Sequence, residues 1–154
     1  MNGVIQAIQD PEITLASNTA SLPFAVTDLR TRSAMNCGGF VNHNEGSALF
    51  SILEGGVYRV SFNANITSAT AGQVALALFG DGIQQTGTEM DAVIGTAGEF
   101  SNIAFSKDIR VCCKGTVNLA IASVPSIVYS GGATPVVTEI PILKNAKFNI
   151  ERLS

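Results

Sequence analysis

Three cysteines, one histidine and a group of acidic residues are the side chains of this chain that are able to perform chemistry. Cys37, His43, Cys112 and Cys113 carry the sulfur and nitrogen atoms that zinc prefers as ligands. The spacing between Cys37 and His43 does not match a zinc finger, and adjacent cysteines rarely ligate one ion with good geometry. A disulfide between Cys112 and Cys113 would strain the peptide that joins them. We therefore expect buried, reduced thiols and no metal site.

Nucleophilic catalysis by a Cys–His pair would require His43 to lie close to a thiol and to be oriented by a third group. His43 falls in residues 41–46, whose sequence VNHNEG is typical of a polar, hairpin-like loop. The sequence therefore predicts a histidine that is exposed to solvent in a loop, and no nucleophilic pair.

Four carboxylates, Asp81, Glu89, Asp91 and Glu99, cluster around one region of the chain. Paired carboxylates perform glycoside hydrolysis, and that alternative stays open at this point. An acidic loop is more often simply solvated, or a weak calcium site. The sequence contains no phosphate-binding loop, nucleophile elbow or dinucleotide fingerprint. We therefore predict a protein that is not an enzyme and holds no cofactor.

The composition is that of one domain with an unusually neutral surface. Of 154 residues, 46% are hydrophobic and 14% charged, against about a quarter charged in typical soluble domains. Burying such a surface between subunits of an oligomer is the simplest way to keep it from water. The net charge of −3 indicates no binding of nucleic acid or of an anionic membrane. No signal peptide is apparent, which predicts folding in a reducing cytoplasm.

Alternating apolar residues and glycine-rich turns predict a chain made almost entirely of strands. Residues 57–66 place apolar side chains on one face and polar side chains on the other, which is the pattern of a strand that covers a core. Many short strands with no amphipathic helix between them favour an antiparallel sandwich or jelly roll. The candidate strands are residues 12–16, 24–30, 39–42, 48–53, 57–66, 73–79, 100–112, 116–123, 135–140 and 146–153. The predicted core residues are Tyr58, Val60, Phe62, Leu76, Leu78, Leu119, Ile121, Phe148 and Ile150.

The remaining segments are predicted to be an arm and two surface loops. Val4, Ile5 and Ile8 have helical spacing, so residues 2–9 are either one or two helical turns or, as we favour, a frayed arm before Pro11. We therefore assign residues 1–11 to an N-terminal arm that could anchor the protein, and residues 12–154 to the jelly-roll domain. The predicted long surface loops are residues 84–99 and 124–145, and tight turns are predicted at residues 80–82 and 114–115.

Some strands carry small, neutral side chains on the face that points away from the core. Small residues allow close approach of another subunit, whereas a solvated face usually carries more lysine and glutamate. The residues that we expect at a trimer interface on this basis are Ser61, Asn63, Asn118, Ala120 and Asn149.

The order of these segments resembles the trimeric tumour-necrosis-factor-like jelly roll. The matching segments are residues 53–62 (LEGGVYRVSF), 74–83 (VALALFGDGI), 109–119 (IRVCCKGTVNL) and 146–153 (AKFNIERL). The resemblance covers roughly residues 12–154 and lies in the branch of complement globular heads, of the C-terminal domains of collagen-like spore-surface proteins, and of phage head-fibre or decoration proteins. It implies a homotrimer with one sheet of each subunit turned towards the threefold axis, and it implies no catalysis.

Two functions are compatible with these features. The first is a structural protein of a phage particle, a trimeric capsid decoration or head-fibre protein that is made in the host cytoplasm and displayed on the virion surface. Its partners would be other virion proteins, such as the major capsid protein. The alternative is a trimeric recognition module that binds a cell-surface glycan or protein through residues 84–99 and 124–145.

Overall fold

The computed structural model describes residues 3–30, 41–112, 117–127 and 136–153, and these residues form strands, turns and loops. Within these ranges no helix is long and apolar enough to cross a membrane. The strands are β1 (Val4–Gln9), β2 (Ile13–Thr14), β3 (Val26–Arg30), β4 (Val41–Asn42), β5 (Phe50–Ile52), β6 (Gly56–Thr67), β7 (Gly72–Gly80), β8 (Ile83–Gln84), β9 (Met90–Ile94), β10 (Ser101–Val111), β11 (Val117–Ser123), β12 (Ser126–Ile127), β13 (Val136–Val137) and β14 (Ile142–Arg152).

Twelve of the strands build two antiparallel six-stranded sheets that pack face to face, and β12 and β13 pair as a separate two-stranded sheet. Sheet A has the strand order β10-β6-β14-β1-β3, with β2 beside β14. Sheet B has the order β4-β5-β11-β7-β8, with β9 beside β7. Strands that are distant in sequence therefore lie side by side, as β1 and β14 do, and the predicted antiparallel sandwich is confirmed.

The core lies between the two sheets. Every one of the nine residues that the sequence placed there is at most 1% exposed. Four phenylalanines form its centre. The ring of Phe50 lies 5.5 Å from that of Phe24 and 4.9 Å from that of Phe148, both edge to face. The ring of Phe62 lies 6.4 Å from that of Phe148. These rings bridge the two sheets, because Phe50 belongs to sheet B and Phe62 and Phe148 belong to sheet A.

The N-terminal segment is a strand and not the predicted arm. Residues 4–9 form neither a frayed arm nor a helix, because β1 lies inside sheet A between β14 and β3. Ile5 and Ala7 point into the core and are fully buried. The apolar residues of this segment fit a strand as well as a helix, and the strand is selected by partners more than 130 residues away in β14. These residues are thus part of the sandwich and not an arm outside it.

The two predicted long loops contain further strands. Residues 84–99 include β9, which pairs with β7 from Gly72 to Leu76 at the edge of sheet B. Residues 124–145 include β12, the start of β14 at Ile142, and β13, which falls within the predicted strand at residues 135–140. The predicted turn at residues 80–82 is confirmed, with positive φ at Asp81 (51°) and Gly82 (81°) as a two-residue hairpin turn requires. The turn predicted at residues 114–115 lies outside the described residues.

Candidate functional site

His43 is buried, not exposed as the sequence analysis expected. Its side chain is 5% exposed, and its ring stacks on that of Phe50 with 4.1 Å between centroids. Nε2 lies 2.9 Å from the carbonyl oxygen of Ser47, which can only accept, so Nε2 carries the proton. Nδ1 lies 2.8 Å from the Thr27 hydroxyl, from which it accepts a hydrogen bond when the ring is neutral. His43 therefore joins sheet A to the 43–47 turn as a structural residue, which explains its burial.

The structure gives no support to a thiol site at His43. Cys112 is exposed, where the sequence predicted burial, and it follows β10 at one edge of sheet A. His43 contacts Thr27 of β3, at the opposite edge of that sheet. Cys37 and Cys113 lie outside the described residues. In the part of the chain that the structure describes, no three His, Cys, Asp or Glu side chains come together in a way that could hold a metal ion.

The four carboxylates do not form one cluster. Glu89 and Asp91 are neighbours at β9, whereas Glu99 lies in the turn after that strand and Asp81 in the turn after β7. The pKa of Asp91 is raised to about 6, first by partial burial, then by the hydrogen bond that its protonated carboxyl donates to Glu89, and by repulsion from the Glu89 charge. Glu89 also accepts a hydrogen bond from Nε2 of Gln84 at 3.0 Å. The pair lies at the edge of sheet B, where β9 pairs with β7.

The five residues that the sequence placed at a trimer interface lie on two opposite surfaces. Ser61 and Asn149 are paired partners on neighbouring strands of sheet A, and Asn63 lies two residues further along β6 on the same outward face. Asn118 and Ala120 lie on β11 of sheet B, on the face that points away from the core. One flat contact cannot include all five residues. Strand alternation shows which residues share a face, but the sheet to which each strand belongs is a tertiary property.

An open groove of about 680 Å³ runs along the outward face of β11. Its floor consists of the small side chains of Ala120 and Ala122. Phe79 of β7 is the paired partner of Ala120 and forms one wall, and Leu49, next to β5 on the other side of β11, forms the opposite wall. The Cα atoms of two strands that flank a third lie about 10 Å apart. Small residues between two large ones thus create the groove.

The wall at Phe79 rests on a second, smaller apolar cluster. Ala75 and Ala77 of β7 are fully buried on this outward face and pack with Val124. Phe79 packs against this cluster and is half-buried. The uninterrupted apolar run of residues 74–79 is the sequence signal for a strand that is covered on both faces. That signal could have located the groove, which the sequence analysis missed.

Polar groups line the two ends of the groove. At one end, the backbone N–H of Asn118 donates to Oδ1 of Asp81 at 2.9 Å, and the hydroxyl of Ser51 donates to Oδ1 of Asn118 at 2.6 Å. At the other end, beside Ala122, lie the side chains of Thr19 and Ser21. The groove therefore combines apolar walls with hydrogen-bonding ends, the usual make-up of a small-molecule site.

Comparison with solved structures identifies the fold. The globular domain of the zebrafish complement 1qA protein matches 96% of this chain and 94% of its own length, with a TM-score of 0.60 and 11% identity. Murine APRIL matches 99% of this chain and all of its own length, with a TM-score of 0.59 and 9% identity. Eiger TNF from S. frugiperda matches all of this chain and 92% of its own, with a TM-score of 0.56 and 8% identity.

No protein-family model and no curated protein sequence matches the chain. None of the three structures named above comes from a phage or a spore surface. The resemblance to phage and spore-surface proteins therefore stays a prediction. Likeness at 8–11% identity shows the fold alone. The chain is an all-β, antiparallel jelly roll of the tumour-necrosis-factor-like type, as its motifs predicted.

Proposed function

We propose that this chain assembles as a homotrimer and is a non-enzymatic structural protein of a phage particle, a capsid decoration or head-fibre protein. The outward face of sheet A is the observation that supports the trimer. A row of uncharged side chains, Ser106, Ser61, Asn149 and Gln6, crosses four neighbouring strands there. The row itself has no charge to bury, and charged residues of the same face, such as Arg59 and Lys147, flank it.

Asn149, near the middle of this row, supports a subunit contact. Its Oδ1 atom is shielded from water and has no hydrogen-bond partner among the described residues of a single subunit. An unpaired buried acceptor costs about 1–3 kcal/mol. A donor from a neighbouring subunit would remove this cost after a small rotation of the amide. The 14% content of charged residues also favours a surface that is covered by assembly.

Symmetry is the argument that we offer for the particle role. A trimer matches the local threefold axes of an icosahedral capsid, where each subunit can make the same contact with the major capsid protein. The protein would then be made in the host cytoplasm and displayed on the virion surface.

Two measurements, made one after the other, test this proposal. Light scattering coupled to size exclusion should give a mass near three times 16.0 kDa, and a monomer would refute the trimer. Mass spectrometry of purified virions should then detect the chain in a fixed ratio to the major capsid protein. A trimer that is absent from purified particles would refute the phage role and leave the assembly standing.

The groove on sheet B favours a second function, recognition of a cell-surface glycan or protein by the same trimer. The groove lies on the sheet opposite to the proposed subunit contact, so both functions can coexist in one assembly. The sequence predicted a binding surface at residues 84–99 and 124–145. Of these residues, Pro125 lines the groove. A glycan array probed with the folded trimer tests this function, and an array without a signal counts against glycan recognition.

A further inference from the structure

Asp81 and Asn118 present a matched acceptor and donor at one end of the groove. Oδ1 of Asp81 accepts the N–H of Asn118, and Oδ1 of Asn118 accepts the Ser51 hydroxyl. Oδ2 of Asp81 and the two N–H groups of the Asn118 amide make no hydrogen bond within the described residues. The site therefore offers one carboxylate acceptor and one amide donor side by side, both held in place by existing bonds.

The Asp81 carboxylate and the Asn118 amide together determine which chemical groups of a ligand can bind at this end of the groove. A hydroxyl group both donates and accepts, so two adjacent hydroxyls satisfy the Asp81 carboxylate and the Asn118 amide together. An ammonium or guanidinium group donates only and would leave the amide N–H groups without an acceptor. A phosphate or carboxylate would be repelled by Asp81, which forms no ion pair within the described part of the chain. A vicinal diol is the best match.

The apolar part of the groove fits the remainder of a sugar ring. The walls at Leu49 and Phe79 lie about 10 Å apart at their Cα atoms, two strand spacings, which leaves room for one ring above the floor at Ala120. The C–H faces of a pyranose are apolar and pack against an aromatic or aliphatic wall. Thr19 and Ser21 lie beside Ala122, about 13 Å along β11 from Asn118, within reach of a second ring.

We infer that the groove along β11 is a glycan-binding site, in which Asp81 and Asn118 bind two adjacent hydroxyls of a pyranose ring packed between Leu49 and Phe79. This inference rests on the recognition function proposed above and identifies its ligand class and its residues. It places the ligand in the groove on the outward face of sheet B, whereas the sequence predicted binding at the loops.

Methyl NMR of the full chain tests the inference directly. Protein with labelled alanine and leucine methyl groups is titrated with the methyl glycosides of mannose, galactose, glucose and N-acetylglucosamine. We expect at least one glycoside to shift the methyl signals of Leu49, Ala120 and Ala122 and to leave that of Ala104, on sheet A, unchanged. N-acetylarginine amide serves as the cationic comparison. If no glycoside shifts the groove methyls, or if the arginine amide alone does so, the inference is overturned.

Two variants test the contacts separately. D81N keeps an acceptor for the Asn118 N–H and tolerates the positive φ of residue 81, but removes the charge. A120L leaves the polar end intact and fills the floor. Each should weaken glycoside binding by about 10-fold or more. D28N makes the same chemical change as D81N on sheet A and should bind as the native protein does. Native affinity in both D81N and A120L would overturn the inference.

A failure of this glycan site can be distinguished from a failure of the proposed trimer and of the recognition function. A native trimer mass for each variant, measured by light scattering, shows that lost binding is not lost folding. A trimer whose groove methyls do not respond overturns this site and leaves the structural role intact. Glycoside shifts at other residues keep the recognition function but overturn its location.

Discussion

Asp81 and Asn118 hold each other through two backbone-anchored hydrogen bonds. The N–H of Asp81 donates to the carbonyl oxygen of Asn118 at 2.8 Å, and the N–H of Asn118 donates to Oδ1 of Asp81 at 2.9 Å. The two residues are 37 positions apart in the sequence. The pair joins the β7–β8 turn to the start of β11 and sets the geometry of one end of the groove.

Substitution of Asp81 should separate the contribution of this hydrogen bond from that of the backbone conformation. D81A removes the acceptor and places alanine at φ 51°, so we expect a loss of about 2 kcal/mol in the free energy of unfolding. D81G removes the acceptor alone and should lose about 1 kcal/mol, while D81N should stay within about 0.5 kcal/mol of native. Urea denaturation measures all three. Equal stability of D81A and D81N would contradict the role assigned to the carboxylate.

Phe62 should be essential for folding. It is 1% exposed and its ring lies 6.4 Å from those of Phe24 and Phe148. F62D would bury an unpaired carboxylate in this cluster, which costs more than the 3–5 kcal/mol of an ordinary Phe-to-Ala change. We therefore expect no soluble trimer, as judged by expression and light scattering. F62L is the matched control and should remain folded with a loss of about 1–2 kcal/mol. A stable F62D trimer would show that the core assignment is wrong.

The stability of the protein should depend on the ionisation of Asp91. Its pKa is raised from 3.8 to about 6 in the folded state, so the folded protein binds this proton more tightly than the unfolded chain does. The contribution of Asp91 to stability therefore falls as the pH rises from about 4 to about 6. D91N should raise the melting temperature at pH 8 and have no such effect at pH 3.5. Because the carboxyl is partly exposed, the gain should be below about 1 kcal/mol.

A second substitution tests the cause of this pH dependence. E89Q removes the charge that repels the Asp91 carboxylate. In that background D91N should stabilise the protein less at pH 8 than it does in the native chain. Calorimetry of the four proteins at pH 3.5, 6 and 8 provides the comparison. An equal gain in both backgrounds would show that Glu89 does not raise the pKa of Asp91.

Introducing an arginine on each sheet tests which of the predicted interface residues lie in the subunit contact. S61R places a cation in the middle of the uncharged row on sheet A and should yield a monomer, because a buried unpaired charge outweighs the gain of the contact. N118R places the same charge on sheet B and should remain a trimer. Light scattering gives both masses. A monomeric N118R together with a trimeric S61R would move the subunit contact to sheet B.

The central strands and their inward faces could be predicted from the sequence. In β6, strict alternation around Tyr58 and Phe62 specifies both the strand and its buried face, since a one-residue shift would turn every apolar side chain outward. The hairpin turn at Asp81 and Gly82 is equally local, because few residue types accept two successive positive φ angles. The order of these local signals was also sufficient to predict the fold class.

The sequence did not determine which surfaces the outward residues share. β1 has a pattern that suits a helix or a strand, and only pairing with β14, at the far end of the chain, decides between them. His43 looks like a solvated loop residue, but Phe50 and Thr27 enclose it. Ser61 and Asn118 are both small and neutral, yet they lie on opposite sides of the sandwich. Local patterns depend on neighbours along the chain, whereas faces, grooves and burial depend on contacts between distant segments, which exist only after the sheets have assembled.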